Sequence, residues 1–485
     1  MPKYFELEEA TIESVHAAMV RGELSCRELV EGYLDRIRRY DHLLNSVILT
    51  NPDVLEMADE IDTKFKNEGL TAPLHGIPVL VKDNIDVCGM PTTSGSKSLE
   101  GNVASKDAHV TRKLKEAGAL ILAKTNLHEF ALWGESVGSL VGQTINPYDF
   151  TRTPGGSSGG TGAGIAANFG LVGIGTDTVN SVRSPASACS LVGVRPSAGL
   201  VGRSGVVPNS FSQDAIGPIC RTVSDAACVL EALAGYDSSD ELTVWASGRT
   251  KGLHLEYGRI DDIRRKRIGV LRSFFGTQGI HQEVNAVLEE CFSVFLRMGC
   301  IVVDLEDVYD SGHLTKDVSL HLYELKECLG SYLERLPASA KIHSFDDLLA
   351  SGLFHSGIKD NLHEAFRLST QSDDYAKRFK ACHELRQRLM KLFVERDLDV
   401  LVFPHQKRPV VSIGETQAER NGVLAAITGF PSLVIPGGFT SPTDSAPIGI
   451  PVGMELLGRP FEDGHLLALA SAFEKTTYCR RPPCL

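Results

Sequence analysis

Three short stretches of this chain combine residue types that can do chemistry. The apolar run Ile77-Pro78-Val79-Leu80-Val81 has the length of a strand and ends on Lys82. A buried ammonium is costly unless it is paired or loses its proton, so a lysine in that place is a candidate base. Residues 154–164, Pro-Gly-Gly-Ser-Ser-Gly-Gly-Thr-Gly-Ala-Gly, hold Ser157 and Ser158 in a glycine cluster whose entropic cost implies positive φ angles or close approach to something bound. A second serine-bearing turn over residues 175–185 contains Asp177, Thr178, Val179, Asn180, Ser181 and Arg183. It follows an apolar stretch, where a backbone turn could aim several N–H groups at one point.

The glycine-rich loop admits three chemistries. As a phosphate loop, Gly155 and Gly160 have the required spacing, but Thr161 stands where a lysine must reach the phosphates. As a dinucleotide fingerprint, Gly162, Gly164 and Ala167 fit, but residues 148–153 do not read as the buried strand that must precede it. As a catalytic loop it presents serines, which are weak nucleophiles that need a neighbouring base and donors for an oxyanion. The nucleotide readings predict ATP or NAD binding; the catalytic reading predicts a serine that reacts with a fluorophosphonate. Residues 134–138, Gly-Glu-Ser-Val-Gly, match the nucleophile elbow G-x-S-x-G. That motif requires a strand before it and a helix after it, whereas here a helix-like stretch precedes and a turn-like one follows, so Ser136 is read as structural.

The elements that must position these residues alternate between helix and strand. Residues 11–65 have helical periodicity, with Ile12, Val15, Met19 and then Leu29, Tyr33, Leu34, Ile37 on apolar faces. A charged helix from Asp107, a break at Gly118 and the run Ala119-Leu120-Ile121-Leu122-Ala123 form a helix-to-strand unit, and similar units recur near 165–175, 222–234, 268–271 and 287–303. Residues 314–395 read as amphipathic helix with a polar break near 369–374, and strands return at 398–403, 432–435 and 451–456. The fold class is α/β, expected as one large α/β/α layered domain over residues 1–485 with a central mixed sheet flanked by helices. Within it, residues 1–65 form a helical N-terminal segment and residues 240–397 a variable helical cap. His321, Tyr323 and Cys382 in that cap are read as packing residues.

Composition narrows the function classes. The 485 residues are 42% apolar and 23% charged, with 49 Lys+Arg against 61 Asp+Glu and a net charge of -12, which disfavours binding to phosphate backbones. The basic run Arg264-Arg265-Lys266-Arg267 precedes an apolar segment and reads as a solvated lead-in to a strand. The N-terminal residues lack an apolar h-region, so secretion is not expected, and the longest uncharged stretch, residues 154–176, is too rich in Gly, Ser and Ala for a membrane span. Eleven cysteines without a CxxC pair suit reduced thiols and a cytoplasmic location better than a disulfide framework or a zinc site.

The chemistry-bearing stretches together resemble the amidase signature family, whose members carry a Ser–cis-Ser–Lys triad. The likeness lies in Val81-Lys82-Asp83-Asn84, in Gly155-Gly156-Ser157-Ser158-Gly159-Gly160, in the 175–185 turn with Ser181-Val182-Arg183, and in the 24-residue separation of Ser157 and Ser181. Further similar blocks are Leu74-His75-Gly76-Ile77-Pro78, Ala123-Lys124-Thr125-Asn126, Gly217-Pro218 with Arg221-Thr222-Val223, Gly429-Phe430-Pro431 and residues 451–459. The resemblance covers residues 10–235 and 398–475 and is loose between 240 and 397.

The resemblance implies that Ser181 is the nucleophile forming an acyl-enzyme and that Ser157 relays its proton to Lys82. It implies that the backbone N–H groups of Thr178, Val179, Asn180 and Ser181 hold the oxyanion, with Ser158, Asp177 and Arg183 in support. No metal or cofactor is called for. Lys82 must then be unprotonated at neutral pH, so its pKa has to fall from about 10.4 by about three, equivalent to about 4 kcal/mol, which burial can supply. The family commonly has Gly-Gly where this chain has Val179-Asn180. A β-branched valine sits poorly at positive φ, so the turn is expected to use ordinary backbone angles, its side chains narrowing the pocket. A distorted turn would instead mean a weakly active or inactive member. The expected activity is hydrolysis of the C–N bond of a small amide, aryl-amide or urea-like substrate. The alternative is the amidase subunit of a glutamine-dependent tRNA amidotransferase. Family analogy also suggests a homodimer; no nucleic-acid or membrane partner is expected.

Overall fold

Val79, Leu80 and Val81 are buried on both faces, and so are residues 120–125 and 172–177. Strands with no polar face must lie inside a sheet covered by helices on both sides. In the computed structural model, which describes residues 5–249, 263–306 and 309–485, that sheet has eleven strands. They are β1 (Val47–Thr50), β2 (Pro78–Lys82), β3 (Leu120–Thr125), β6 (Val172–Asp177), β7 (Val192–Arg195), β8 (Ala215–Cys220), β9 (Arg267–Leu271), β10 (Ile301–Leu305), β11 (Val400–Pro404), β12 (Ser432–Phe439) and β13 (Pro451–Leu457). A small separate hairpin joins β4 (Val137–Gly138) to β5 (Gly142–Gln143). The order across the sheet is β1-β3-β2-β6-β8-β7-β12-β13-β11-β9-β10. β2 runs parallel to both β3 and β6, and β9 parallel to β10 and β11, while the central strands pair antiparallel. The sheet is therefore mixed, and one hydrophobic cluster runs along it from Val15 and Leu29 to Leu467 and Phe473.

The N-terminal segment is helical at α1 (Ile12–Val20), α2 (Cys26–Leu44) and α3 (Val54–Glu68). Thr11 and Ser25 cap the first two, each in a reciprocal capping box that satisfies amides otherwise left without partners. Between α2 and α3 the chain adds β1 to the sheet edge, pairing antiparallel with β3. Periodicity over a whole segment does not resolve a four-residue strand set between two helices. The charged helix expected ahead of β3 is α4 (His109–Glu116).

Residues 240–397 are helical in part. β9 and β10 belong to the main sheet, and the helix Gln282–Arg297 connects them. Beyond them lie His321–Leu333, Phe345–Ser351 and Lys359–Arg367, which bury a separate cluster around Leu329, Phe345 and Leu362, and Asp373–Glu395, whose Leu389 and Phe393 join the cluster of Phe403 and Leu424. Polar ties hold this layer to the sheet: Gln213 accepts from the Leu320 amide, and Glu324 accepts from the Ser212 amide at 3.2 Å. His321 is buried against Ser319, and Cys382 donates to the Val318 carbonyl. Arg264 and Arg265 are exposed ahead of β9, and Lys266 pairs with Asp399 at 2.9 Å. No described helix is long and apolar enough to cross a membrane.

Candidate active site

The parallel register sets Val81 beside Ile174, which brings the carboxyl ends of β2 and β6 together. Lys82 closes the first and Asp177 the second. In sheets of this kind the carboxyl ends of parallel strands are where ligands bind. Between Ser157 and Ser181 the chain forms α5 (Gly159–Ala166) and then β6. A helix out and a strand back return the chain to the same edge, so 24 residues of sequence become one neighbourhood.

Lys82 is fully buried. Its Nζ donates to Ser157 Oγ at 2.7 Å and to Thr176 Oγ1 at 2.7 Å, and Asn84 Nδ2 donates to the same threonine oxygen at 3.1 Å. Among the described residues no carboxylate comes within ion-pairing distance of Lys82. Burial is the largest influence on its pKa and brings it down to about 7, although the more distant carboxylates of Asp177 and Asp214 act to hold it up. An amine poised near neutrality between two hydroxyls can take up or release a proton at physiological pH.

The loop that carries Ser157 is clamped from several sides. The peptide bond before Ser157 is cis. The Ser157 carbonyl accepts from the His128 amide at 3.0 Å, and the Ser158 hydroxyl donates to the Thr176 carbonyl at 3.2 Å. Gly155 has a φ of 72°, and a Cβ there would lie 2.9 Å from the Ser184 carbonyl oxygen, which explains one glycine of the cluster. Ser136 Oγ donates to the Gly155 carbonyl at 2.8 Å and accepts from the Gly159 amide at 3.0 Å. It pins the loop, and it sits on no strand-to-helix elbow.

Ser181 is buried, and its carbonyl accepts from the Ser158 amide at 3.2 Å, which joins its backbone to the loop. Its hydroxyl makes no hydrogen bond among the described residues, so the two serine hydroxyls are not linked to each other in this state. Catalytic hydrogen bonds are often long without substrate and tighten when it binds. Neither Val179 nor Asn180 has a positive φ. The turn therefore carries no left-handed strain at the valine, whose side chain packs on the cluster around Phe403 and Leu424. The amides of Val179, Asn180 and Ser181 donate to no protein acceptor among the described residues, while the carbonyls of Thr178, Val179 and Asn180 accept from Gln213, Arg183 and the Ser184 amide. Donors that are free on one side of an anchored turn suit an anion. The Thr178 amide likewise donates to no acceptor among the described residues, and its Oγ1 donates to Asp214 Oδ1 at 2.6 Å.

Behind the turn lies a buried charge network. Asp177 bonds Arg183 at 3.0 Å, Arg195 at 2.9 Å and the Val182 amide at 3.1 Å. Burial works to raise the Asp177 pKa, but the two guanidinium groups overcome it and hold the carboxyl well below its usual range. Arg183 also bonds Glu455, which accepts from His405 at 2.7 Å. Asp177 and Arg183 thus tie the turn together. Arg195, Glu455 and His405 complete the anchor from distant strands, and no local motif marks them.

Sequence reasoning also missed two near neighbours of the lysine. Thr176, quoted only as part of the turn, accepts from Lys82. His128 is fully buried, and burial, followed by His355, Arg420 and Lys82, pushes its pKa down to about 3. Its Nδ1 accepts from the Glu135 amide at 3.2 Å, so the proton of the neutral ring sits on Nε2. Its only sequence signal is its place two residues beyond the block Ala123-Lys124-Thr125-Asn126. The described residues contain no group of three or more His, Cys, Asp or Glu side chains suited to hold a metal ion.

A buried lysine on two hydroxyls, a serine-bearing glycine loop and a turn with free amides meet at the carboxyl ends of β2 and β6 in an α/β sheet. The Amidase family model matches residues 28–467, and the chain belongs to that family. It is a hydrolase acting on carbon–nitrogen bonds. A probable amidase of Arabidopsis thaliana is 34% identical over 499 residues, covering 99% of this chain and 92% of that protein. A glutamyl-tRNA(Gln) amidotransferase subunit from Methanosarcina acetivorans is 33% identical, covering 95% of this chain and 96% of the relative. The crystal structure of a peptide amidase from Stenotrophomonas maltophilia superposes with a TM-score of 0.88 at 34% identity, covering 99% of both chains.

Proposed function

We propose that the chain hydrolyses the C–N bond of a small amide, aryl-amide or urea-like substrate through an acyl-enzyme on Ser181. Ser157 passes the Ser181 proton to neutral Lys82 as the hydroxyl attacks, and the carbonyl oxygen takes the negative charge at the amides of Val179, Asn180 and Ser181. Protonated Lys82 returns the proton through Ser157 to the departing amine, and water then frees the acid by the reverse relay. The observation that carries this reading is Lys82 held at 2.7 Å from Ser157 Oγ, with no carboxylate at ion-pairing distance among the described residues and burial outweighing the more distant ones. Ordinary φ angles at Val179 and Asn180 favour a competent turn over an inactive one. Mass-spectrometric mapping of a fluorophosphonate adduct tests the assignment: labelling falls on Ser181 and is lost in Lys82→Ala. An adduct elsewhere, or undiminished labelling in the variant, overturns it.

A second reading is a component that releases ammonia from glutamine for a tRNA amidotransferase, favoured by the 33% identity to such a protein over nearly the whole chain. The free-standing reading is preferred because the peptide amidase superposes at TM-score 0.88, against 0.74 for the amidotransferase component of Thermotoga maritima. Assay of the purified chain alone on glutamine and on a panel of simple amides separates them. Activity on glutamine only, and only with partners added, would establish the second reading. The cysteines, which form no disulfide among the described residues, fit a cytoplasmic setting.

A further inference from the structure

Arg420 is half-buried and stacks over the Trp133 ring with its guanidinium 5.6 Å from the ring centre. Among the described residues that guanidinium makes no hydrogen bond and no ion pair. Of the two nearby acids, Glu135 acts on it through space only, and the hydrogen bonds of both go to other partners. Glu135 accepts from the Gln417 amide at 2.8 Å and the Gly134 amide at 3.3 Å, and Glu419 faces His281 at 3.2 Å. Glu135 balances part of the Arg420 charge from beyond ion-pairing distance, but the five donors of the fixed fork are left without acceptors among the described residues.

Its position ties this spare fork to the candidate active site by three links. The guanidinium lies against Gly134, where a Cβ would fall 1.6 Å from Arg420 Nη1. Gly134 in turn abuts Gly156, the residue before Ser157, at 2.9 Å from where a Cβ would be. Two residues beyond Arg420, Gly422 packs on Asn180 of the oxyanion turn, at 2.8 Å by the same measure. The ring of His128, whose Nε2 is buried without a partner, is within electrostatic reach of both Arg420 and Lys82 and offers a further donor.

We infer that Arg420 binds a carboxylate carried by the substrate, so that this chain acts on amides that bear a carboxylate near the scissile bond. A guanidinium whose donors have no protein acceptor can take a carboxylate bidentately. This inference rests on the amidase mechanism proposed above and adds to it the charge of the substrate.

Two matched pairs of amides read the charge directly and show on which side of the bond it lies. Glutaric acid mono-p-nitroanilide against butyric p-nitroanilide places the carboxylate on the acyl side; N-acetyl-p-aminobenzoate against acetanilide places it on the amine side. In one arm the wild-type kcat/KM favours the anionic member by about ten- to a hundredfold, the range of a charge-assisted hydrogen bond. Arg420→Gln brings that ratio towards one, and Arg420→Lys keeps part of it because the charge survives while the fork does not. A ratio near or below one in both arms, or one unchanged in Arg420→Gln, overturns the inference. Calorimetry on the wild type keeps the test independent of the variants and of catalysis: glutarate binds at least about tenfold more tightly than glutaramide, and equal binding is a negative result. If wild type hydrolyses no amide and yet binds glutarate selectively, the catalytic reading has failed while the carboxylate site stands.

Discussion

Two lysines lie at the carboxyl ends of neighbouring parallel strands, Lys82 last in β2 and Lys124 next to last in β3, both fully buried, and their surroundings differ. Lys124, on β3, lies 2.8 Å from Asp83 Oδ1 and donates to the Pro91 carbonyl and the Thr92 hydroxyl. Lys82, on β2, has hydroxyls alone: Ser157 and Thr176. A carboxylate at ion-pairing distance makes a buried ammonium part of the scaffold; neutral oxygens leave it free to give up its proton. One rung of sheet register thus separates a structural cation from a candidate base, and no propensity scale distinguishes them.

The comparison is open to direct attack. The largest expected effect is on catalysis: Lys82→Met or Ser181→Ala lowers kcat by about 10⁴–10⁶-fold, the scale seen when one member of a concerted set is removed. Lys124→Met instead strands the buried Asp83 carboxylate and lowers stability by about 3–5 kcal/mol, measured by urea unfolding. Lys82→Met works in the opposite direction, raising the unfolding midpoint at pH 7 by the equivalent of about 1–2 kcal/mol, because it removes a desolvated amine. If the two methionine variants shift stability in the same direction, the contrast between the lysines collapses.

The pH dependence sharpens the same point. The Lys82 pKa lies near 7 in the folded chain, against 10.5 for the free side chain. The base form is therefore lost as pH falls below about 7, and kcat/KM falls with it. Between those two values the unfolded chain binds the extra proton, so the cost of Lys82 to stability is full below 7 and disappears as pH rises towards 10.5. An acid limb of kcat/KM that stays flat down to about pH 5 would rule out this amine as the base. The smallest effect belongs to Thr176→Val, which removes one of the two hydroxyl partners and lowers kcat/KM by about tenfold, the worth of one hydrogen bond.

How much was legible in advance follows the range of the forces involved. The glycine cluster, the strand-end lysine and the turn of Ser181 are local patterns, and they came together at one sheet edge. The anchor of that turn was half visible: Asp177 and Arg183 lie six residues apart, but Glu455 and His405 arrive from β13 and from just beyond β11. The tie of the Thr178 hydroxyl to Asp214, a partner 36 residues away, was not legible in the same way. In residues 240–397 the two strands were readable as apolar runs, whereas the cap's polar ties, such as Glu324 to Ser210 and Ser212, depend on contacts more than a hundred residues apart.

By itself the sequence determined the α/β alternation, the family and the residues able to do chemistry, because periodicity, turn composition and motif spacing act over a few neighbours. Only the tertiary structure decided which buried lysine kept a carboxylate and which did not, how Val179 fits a turn usually built of glycine, and that the Arg420 guanidinium was left without a hydrogen bond among the described residues. Those outcomes depend on burial and on charges brought together from distant strands, and the free energy of a charge is set by everything around it rather than by its neighbours in the chain.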